Sequence, residues 1–368
     1  MYKKTSSRTK TRKIFMFLLM LIMFIYSYPL IETKINRFRT LGSLKPIGNA
    51  GVYSMKYELN YKLDDFIKNG SKDLNQLYYF IDKNTSVPFT SNSTTPVFKN
   101  DIYDINSYNG YDECTAFSAI NEQGAALFGR NLDIKGNHPI LVLQTDPPNG
   151  YASISIVEIP ILGCTDDNEQ LKTLFRQYGN RTPLLRSPYM PRDGMNEKGL
   201  CVATLNVPNE DINIDAEKST LGRWQVLRLL LDKASNLKEA IELLEKYNCF
   251  DGTVHYFISD AYGNSAVAEY IEGKLSVVPS LDKFQAVTNF YLSQPDKGGK
   301  GHKRYDTAHD YLKEHYRDMN ETTALKLLSD VKEQSTVYSA VYNQRTGEVF
   351  ISYKNDYYNI YNFKLNMK

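Results

Sequence analysis

Cys114, Arg130 and Asp133 fall within one short segment, CTAFSAINEQGAALFGRNLD. The residues on either side of a turn over 121–124 read as two antiparallel strands, which returns the end of the second strand to the start of the first. A nucleophile, a cation and a carboxylate would then meet. An arginine beside a thiol favours the thiolate, and a carboxylate can hold an ammonium group. The chain has no general-base histidine in a recognisable context: His138, His255, His302, His309 and His315 stand apart from any such pattern. If Cys114 became the first residue of a chain, its own α-amine would supply the base that a nucleophile needs. The same positions also suit a buried cysteine on a core strand beside a structural Arg–Asp pair. Position alone does not choose between the two.

Other chemistries find little support. The chain has no H-E-x-x-H, no G-x-S-x-G and no P-loop. Its four cysteines, Cys114, Cys164, Cys201 and Cys249, form no C-x-x-C pair, which argues against a structural zinc site; no metal and no cofactor is expected. Two disulfides would be conceivable in an exported chain, but the count is weak support for them. GGKG, residues 298–301, reads as a flexible basic loop. With 44 basic and 42 acidic residues the net charge is +2, which gives no reason to expect nucleic acid as a partner.

The N-terminus carries Lys3, Lys4, Arg8, Lys10, Arg12 and Lys13, followed by IFMFLLMLIMFIYSYPLI over residues 14–31. A charge-free run of this length could cross a hydrocarbon core of ~30 Å. The basic flank would keep the N-terminus inside and send the rest out. The expectation is an uncleaved signal anchor, or alternatively a cleaved signal peptide. The chain would then be membrane-anchored with its catalytic part extracytoplasmic, or secreted.

Residues 32–113 differ in character from the rest of the chain. FIKNGSKDLNQLYYFIDKN reads as helix, TSVPFTSNSTTPVFKND as a linker, and DIYDINSYNGYDE as an acidic, turn-prone stretch. From Cys114 on, strands dominate: the hairpin, then ILVLQT, YASISIVEI and GLCVATLN. Helices come next in LGRWQVLRLLLDKA, capped by Ser219 or Thr220, and LKEAIELLEKY, capped by Ser235 or Asn236. VHYFISD, SAVAEYI, KLSVVP and FQAVTNF return to strand. A helical stretch covers about 304–332, and a hairpin turning at 345–347 closes the chain. This order predicts an α+β fold with helices packed on antiparallel sheets.

At this point the residues carry a resemblance. CTAFSAINEQGAALFGRNLD resembles the opening of the choloylglycine hydrolase and penicillin V acylase family of linear-amide hydrolases, N-terminal-nucleophile enzymes related to acid ceramidase-like and acyl-transferase enzymes. DGMNEKGLCVATLN (193–206) resembles the family's second signature, VHYFISDAYGNSAVAEY (254–270) its strand pair, VTN (287–289) its asparagine motif, and HKRY, with Arg304, its late arginine. The resemblance implies a four-layer αββα sandwich and a set of roles. Cys114 attacks the amide carbonyl, its α-amine shuttles the proton, Asp133 binds that amine, and Arg130 steadies the sulfur. Asn206 and Asn289 form an oxyanion hole, one through its side chain and the other through its backbone N–H. Arg304 completes the charge network. Asn196 reads as a turn residue.

The long leader departs from many bile-salt hydrolases and is similar to acid ceramidase-like enzymes. It implies self-cleavage at Glu113–Cys114. The expected divisions are 1–31, 32–113 and 114–368. The expected activity is hydrolysis of a linear amide in a small amphipathic N-acyl molecule. Bile-salt conjugates, penicillin V, N-acyl amino acids, N-acyl-homoserine lactones and lipid amides all stay open. Loops around 134–140, 160–195 and 206–220 would choose among them. Acyl transfer on the same scaffold and an inactive cell-surface protein are the alternatives. A homo-oligomer stays open.

Overall fold

The computed structural model describes residues 5–48, 51–86, 112–164, 171–208, 214–250 and 254–368. The linker and most of the acidic stretch before Asp112 lie outside them. Two large sheets dominate. In the nine-stranded sheet the order is β1 (Lys45–Ile47), β2 (Val52–Tyr57), β5 (Ile140–Thr145), β6 (Ser153–Glu158), β7 (Asp193–Asn196), β8 (Cys201–Asn206), β11 (Val254–Ser259), β12 (Ser265–Ile271) and β13 (Lys274–Pro279). In the six-stranded sheet it is β14 (Phe284–Val287), β3 (Glu113–Ile120), β4 (Ala126–Asp133), β17 (Thr336–Asn343), β18 (Glu348–Tyr353) and β19 (Asp356–Lys364).

Strand alternation makes the layers. On β3, Cys114 and Ala116 point into the core shared with the other sheet, where they meet Ile154, Ala203 and Phe257. Phe117 and Ala119 point the other way, onto Ala308, Leu312 and Leu327 of the helices His302–His315 and Glu321–Asp330. The outer face of the nine-stranded sheet is covered by Leu227, Leu230, Ala240 and Leu244 of the helices Arg223–Lys233 and Leu237–Lys246. The molecule is a mixed α+β sandwich with helices on both outer faces.

The expected hairpin forms in full register, Glu113↔Asp133 through Ile120↔Ala126. Asn236 caps its helix by accepting the Glu239 N–H. Three expectations need correction. Neither Ser219 nor Thr220 caps the helix Arg223–Lys233: Thr220 lies in a two-residue strand, β9 (Thr220–Leu221), and Gly222 is the cap. The stretch over 304–332 is two helices separated by residues 316–320. The helix over 66–84 divides into Leu63–Asn69 and Leu74–Thr85 at Gly70. Gly70 has φ +60, and a Cβ there would sit 2.5 Å from the Thr220 carbonyl oxygen.

The membrane anchor is overturned: among the described residues no helix is long and apolar enough to cross a membrane. The run over 14–31 belongs to one continuous helix, Thr5–Gly42, which holds Pro29 and continues into Glu32, Lys34, Arg37 and Arg39. The end of this helix docks on the body. Leu41 is buried, and Arg181 donates to its carbonyl at 2.9 Å. The anchored localisation and the membrane as a partner fall with the anchor.

Residues 32–113 supply two strands that the sequence pattern does not reveal. β2 runs parallel to β5, Val52↔Ile140 through Tyr57↔Thr145. Tyr61 donates to the Asp232 carboxylate at 2.6 Å, and Phe66, Leu77 and Ile81 are buried in the outer helical core.

Candidate active site

Cys114 lies at the mouth of β3, 2% exposed. Its sulfur accepts a hydrogen bond from Arg130 Nη2 at 3.3 Å. Cys114 pairs with Leu132 and Ala116 with Arg130, so Arg130 shares the inner face of the hairpin with the thiol. Arg130 is itself gripped. Its Nη1 reaches the Asp193 carboxylate, the Arg192 carbonyl at 3.1 Å and the Tyr338 hydroxyl at 3.3 Å. Asp193 also accepts from the hydroxyls of Tyr338 and Tyr342. Burial opposes the arginine's charge, but Tyr338 and Asp193 outweigh it and hold its pKa above the usual value. At Cys114 the balance goes the other way: burial pushes the thiol up against the pull of Arg130.

The backbone around Cys114 is held as firmly. Its N–H donates to Asn289 Oδ1 at 2.7 Å, and its carbonyl accepts from Arg304 Nη1 at 2.7 Å. Asn289 Nδ2 donates to the Asn206 carbonyl at 2.8 Å, which ties the two asparagines together across the gap between sheets. Arg223 donates to Asn206 Oδ1 at 3.2 Å. Arg304 also donates to Thr115 Oγ1 at 2.6 Å and meets Glu113, Glu333 and Asp133 at 2.5, 3.1 and 3.7 Å. Gly301, the residue before its helix, has φ +83, and a Cβ there would come within 2.8 Å of Arg304 Nη2.

Asp133 sits on the outward parity of β4, beside Glu113. It is fully buried, accepts from Thr336 Oγ1 at 2.5 Å, and leaves Oδ2 with no hydrogen-bond donor among the described residues. Burial pushes its carboxyl up to about 7, against the pull of Thr336 and Arg304. All six predicted residues, with Glu113, thus lie in one connected cluster. Sequence reasoning misses Tyr338, Tyr342, Thr336 and Glu333, and reaches Asp193 only inside a motif. The even spacing of Tyr338 and Tyr342 on one strand is the one available signal.

GGKG is no loose loop. Gly299–Lys300 forms β16, paired with β15 (Asn289–Phe290), and this brings Lys300 to 3.9 Å from Glu113. A cavity of about 760 Å³ opens beside Glu113, lined by Ile134, Lys135, His138, Lys300 and Thr336 among others. A larger cavity, about 920 Å³, lies by the helix Leu237–Lys246, and none of the six residues lines it. Asn196 holds its turn as expected, accepting the N–H groups of Lys198 and Leu200. All four cysteines are free thiols.

Known proteins share this arrangement of sequence. Residues 114–289 match the family model of linear amide C–N hydrolases, choloylglycine hydrolase family. The bile salt hydrolase/transferase of Clostridium perfringens (strain 13 / Type A) is 30% identical over 181 residues, 45% of this chain and 50% of that protein. The chain thus spans about half the length of the curated relative it matches. Among solved structures, a mutant conjugated bile acid hydrolase from Clostridium perfringens superposes with a TM-score of 0.48 at 18% identity, over 69% of this chain and 92% of that one. Penicillin V acylase from Agrobacterium tumefaciens gives 0.49 at 19%, over 68% and 86%. The match of residues 114–289 to the choloylglycine hydrolase family of linear amide C–N hydrolases bears out the resemblance read from the motifs.

Proposed function

We propose that the chain is an N-terminal-nucleophile hydrolase of linear amides in small amphipathic N-acyl molecules, built on an αββα sandwich and activated by cleavage of the Glu113–Cys114 bond. The observation that carries this reading is the Asp133 oxygen with no hydrogen-bond donor among the described residues, buried on the hairpin opposite Glu113, the residue before Cys114. A buried carboxylate oxygen without a donor is costly, and an α-ammonium on Cys114 would satisfy it.

In cleavage, the Cys114 thiol attacks the Glu113 carbonyl and the acyl group moves from nitrogen to sulfur. Water then hydrolyses the thioester, leaving a carboxylate on Glu113 and a free amine on Cys114. In turnover, that amine takes the thiol proton and the thiolate attacks the substrate carbonyl. Asn206 and Asn289 stabilise the oxyanion. The second N–H of Asn289 Nδ2 remains for this after Asn206 takes the first. The amine returns the proton to the leaving group, and water releases the acyl chain from sulfur.

Acyl transfer uses the same thioester with an amine in place of water. The Clostridium relative is named a hydrolase/transferase, which favours keeping this second reading. The test is to purify the protein, sequence the large fragment, and follow a panel of N-acyl substrates, with and without acceptor amines, by mass spectrometry. A large fragment beginning at Cys114 and turnover lost in Cys114→Ser are expected. Full activity from an uncut chain would sink the mechanism.

A further inference from the structure

His255 and Glu269 are both fully buried, yet neither belongs to the cluster around Cys114. They stand on neighbouring strands of the nine-stranded sheet, β11 and β12. His255 Nε2 lies 2.9 Å from the Thr288 carbonyl oxygen and Nδ1 3.4 Å from Glu269 Oε1. Both ring nitrogens thus face acceptor oxygens, which tie the ring between Thr288 and Glu269. Glu269 in turn accepts the Leu292 N–H at 2.6 Å, the Ser293 N–H at 3.1 Å and the Ser293 hydroxyl at 2.6 Å. Burial alone would raise the Glu269 carboxyl, but the bonds from His255, Ser293 and Leu292 bring it below its ordinary value.

These contacts enclose Asn289. The segment over 288–293 leaves β14, whose partner is the nucleophile strand β3, and crosses toward the other sheet. One end is fixed by His255 at Thr288, and the other by Glu269 at Leu292 and Ser293. Between them Asn289 bridges the sheets, with Oδ1 on the Cys114 N–H and Nδ2 on the Asn206 carbonyl. A buried carboxylate and imidazole are costly to desolvate, and both are fully buried here. Their spacing matches the two ends of the segment that carries Asn289.

We infer that His255 and Glu269 are a positioning pair that sets Asn289 between the two sheets and so aligns its amide for the oxyanion. Neither touches substrate. The inference rests on the hydrolase reading above.

The test measures kcat and KM per titrated Cys114 thiol, on whichever N-acyl substrate the wild type turns over, for Glu269→Gln, His255→Leu and His255→Gln. The first two are expected to lose about tenfold or more in kcat with KM within about twofold, since an oxyanion donor acts only in the transition state. His255→Gln, whose amide N–H can still reach the Thr288 carbonyl, is expected to recover most of the loss. A merely structural pair would lower the melting temperature and leave kcat per titrated thiol unchanged in all three, and that result overturns the inference. Either Glu269→Gln or His255→Leu, if it folds, suffices to read the outcome, and His255→Gln serves as the rescue. Failure of the hydrolase reading looks different, because the wild type itself would leave every substrate intact.

Discussion

Arg304 grips both sides of one peptide bond. Its Nη2 meets the Glu113 carboxylate at 2.5 Å and its Nη1 the Cys114 carbonyl at 2.7 Å. The bond proposed to break is thereby held at both ends by a single guanidinium, itself braced by Thr115 and Glu333. Loosening either end should misplace the scissile carbonyl against the thiol. Arg304→Ala and Glu113→Ala are expected to slow cleavage by about 10- to 100-fold, and Cys114→Ala to stop it. A time course of the uncut band on a denaturing gel measures this; cleavage at the wild-type rate in both Arg304 and Glu113 variants would contradict it.

The second prediction concerns the brace behind Arg130. Asp193→Asn leaves a buried guanidinium without its counter-charge and is expected to destabilise the fold by about 3–5 kcal/mol. Tyr342→Phe removes only one hydrogen bond to a charged group, at a cost of about 1.5–3 kcal/mol. Denaturant unfolding ranks the two. Alkylation of Cys114 should also slow in Asp193→Asn, because an arginine that has drifted off no longer favours the thiolate. Equal stabilities for wild type and Asp193→Asn would show that the network is dispensable.

Asp133 gives a pH signature. In the uncut chain its carboxyl titrates at about 7, against an ordinary 3.8. The folded state therefore binds the proton more tightly than the unfolded state. The stability this contributes is complete below about pH 4 and is lost as pH rises to about 7, beyond which the penalty stays constant. In a Cys114→Ala background, Asp133→Asn is expected to flatten that part of the stability–pH curve. Superimposable slopes with and without the carboxyl would count against the buried Asp133.

Cleavage should not release the first segment. Phe66, Leu77 and Ile81 are buried in the outer helical core, Gln225 donates to the Phe66 carbonyl at 3.0 Å, and Ser71 donates to the Thr220 carbonyl at 2.8 Å. The two fragments are expected to co-elute on size exclusion and to part only in denaturant. A large fragment eluting alone in native buffer would refute this.

The hairpin is legible in the sequence because its alternation, its turn and its motif all agree. Arg130 and Asp133 come with it, and Asn206, Asn289 and Arg304 with ordered motifs. Distance along the chain hides the rest. Asp193 is 63 residues from Arg130, and Tyr342 is 149 residues from Asp193, so no local pattern joins them. β2 escapes because VYSMKY is short and finds its parallel partner far downstream. The apolar N-terminal run ends at Ile31 in the sequence pattern, although the helix does not stop there.

The parallel pairing of β2 with β5 also bears on how this protein could be made. A chain started at Cys114 would already present that thiol at its terminus, but it would leave Ile140–Thr145 unpaired along one side. That strand is almost wholly apolar and buried in the intact molecule. Unpaired strands of this kind recruit other chains. Such a shortened chain would be prone to aggregate, whereas a chain that includes Val52–Tyr57 keeps this strand paired.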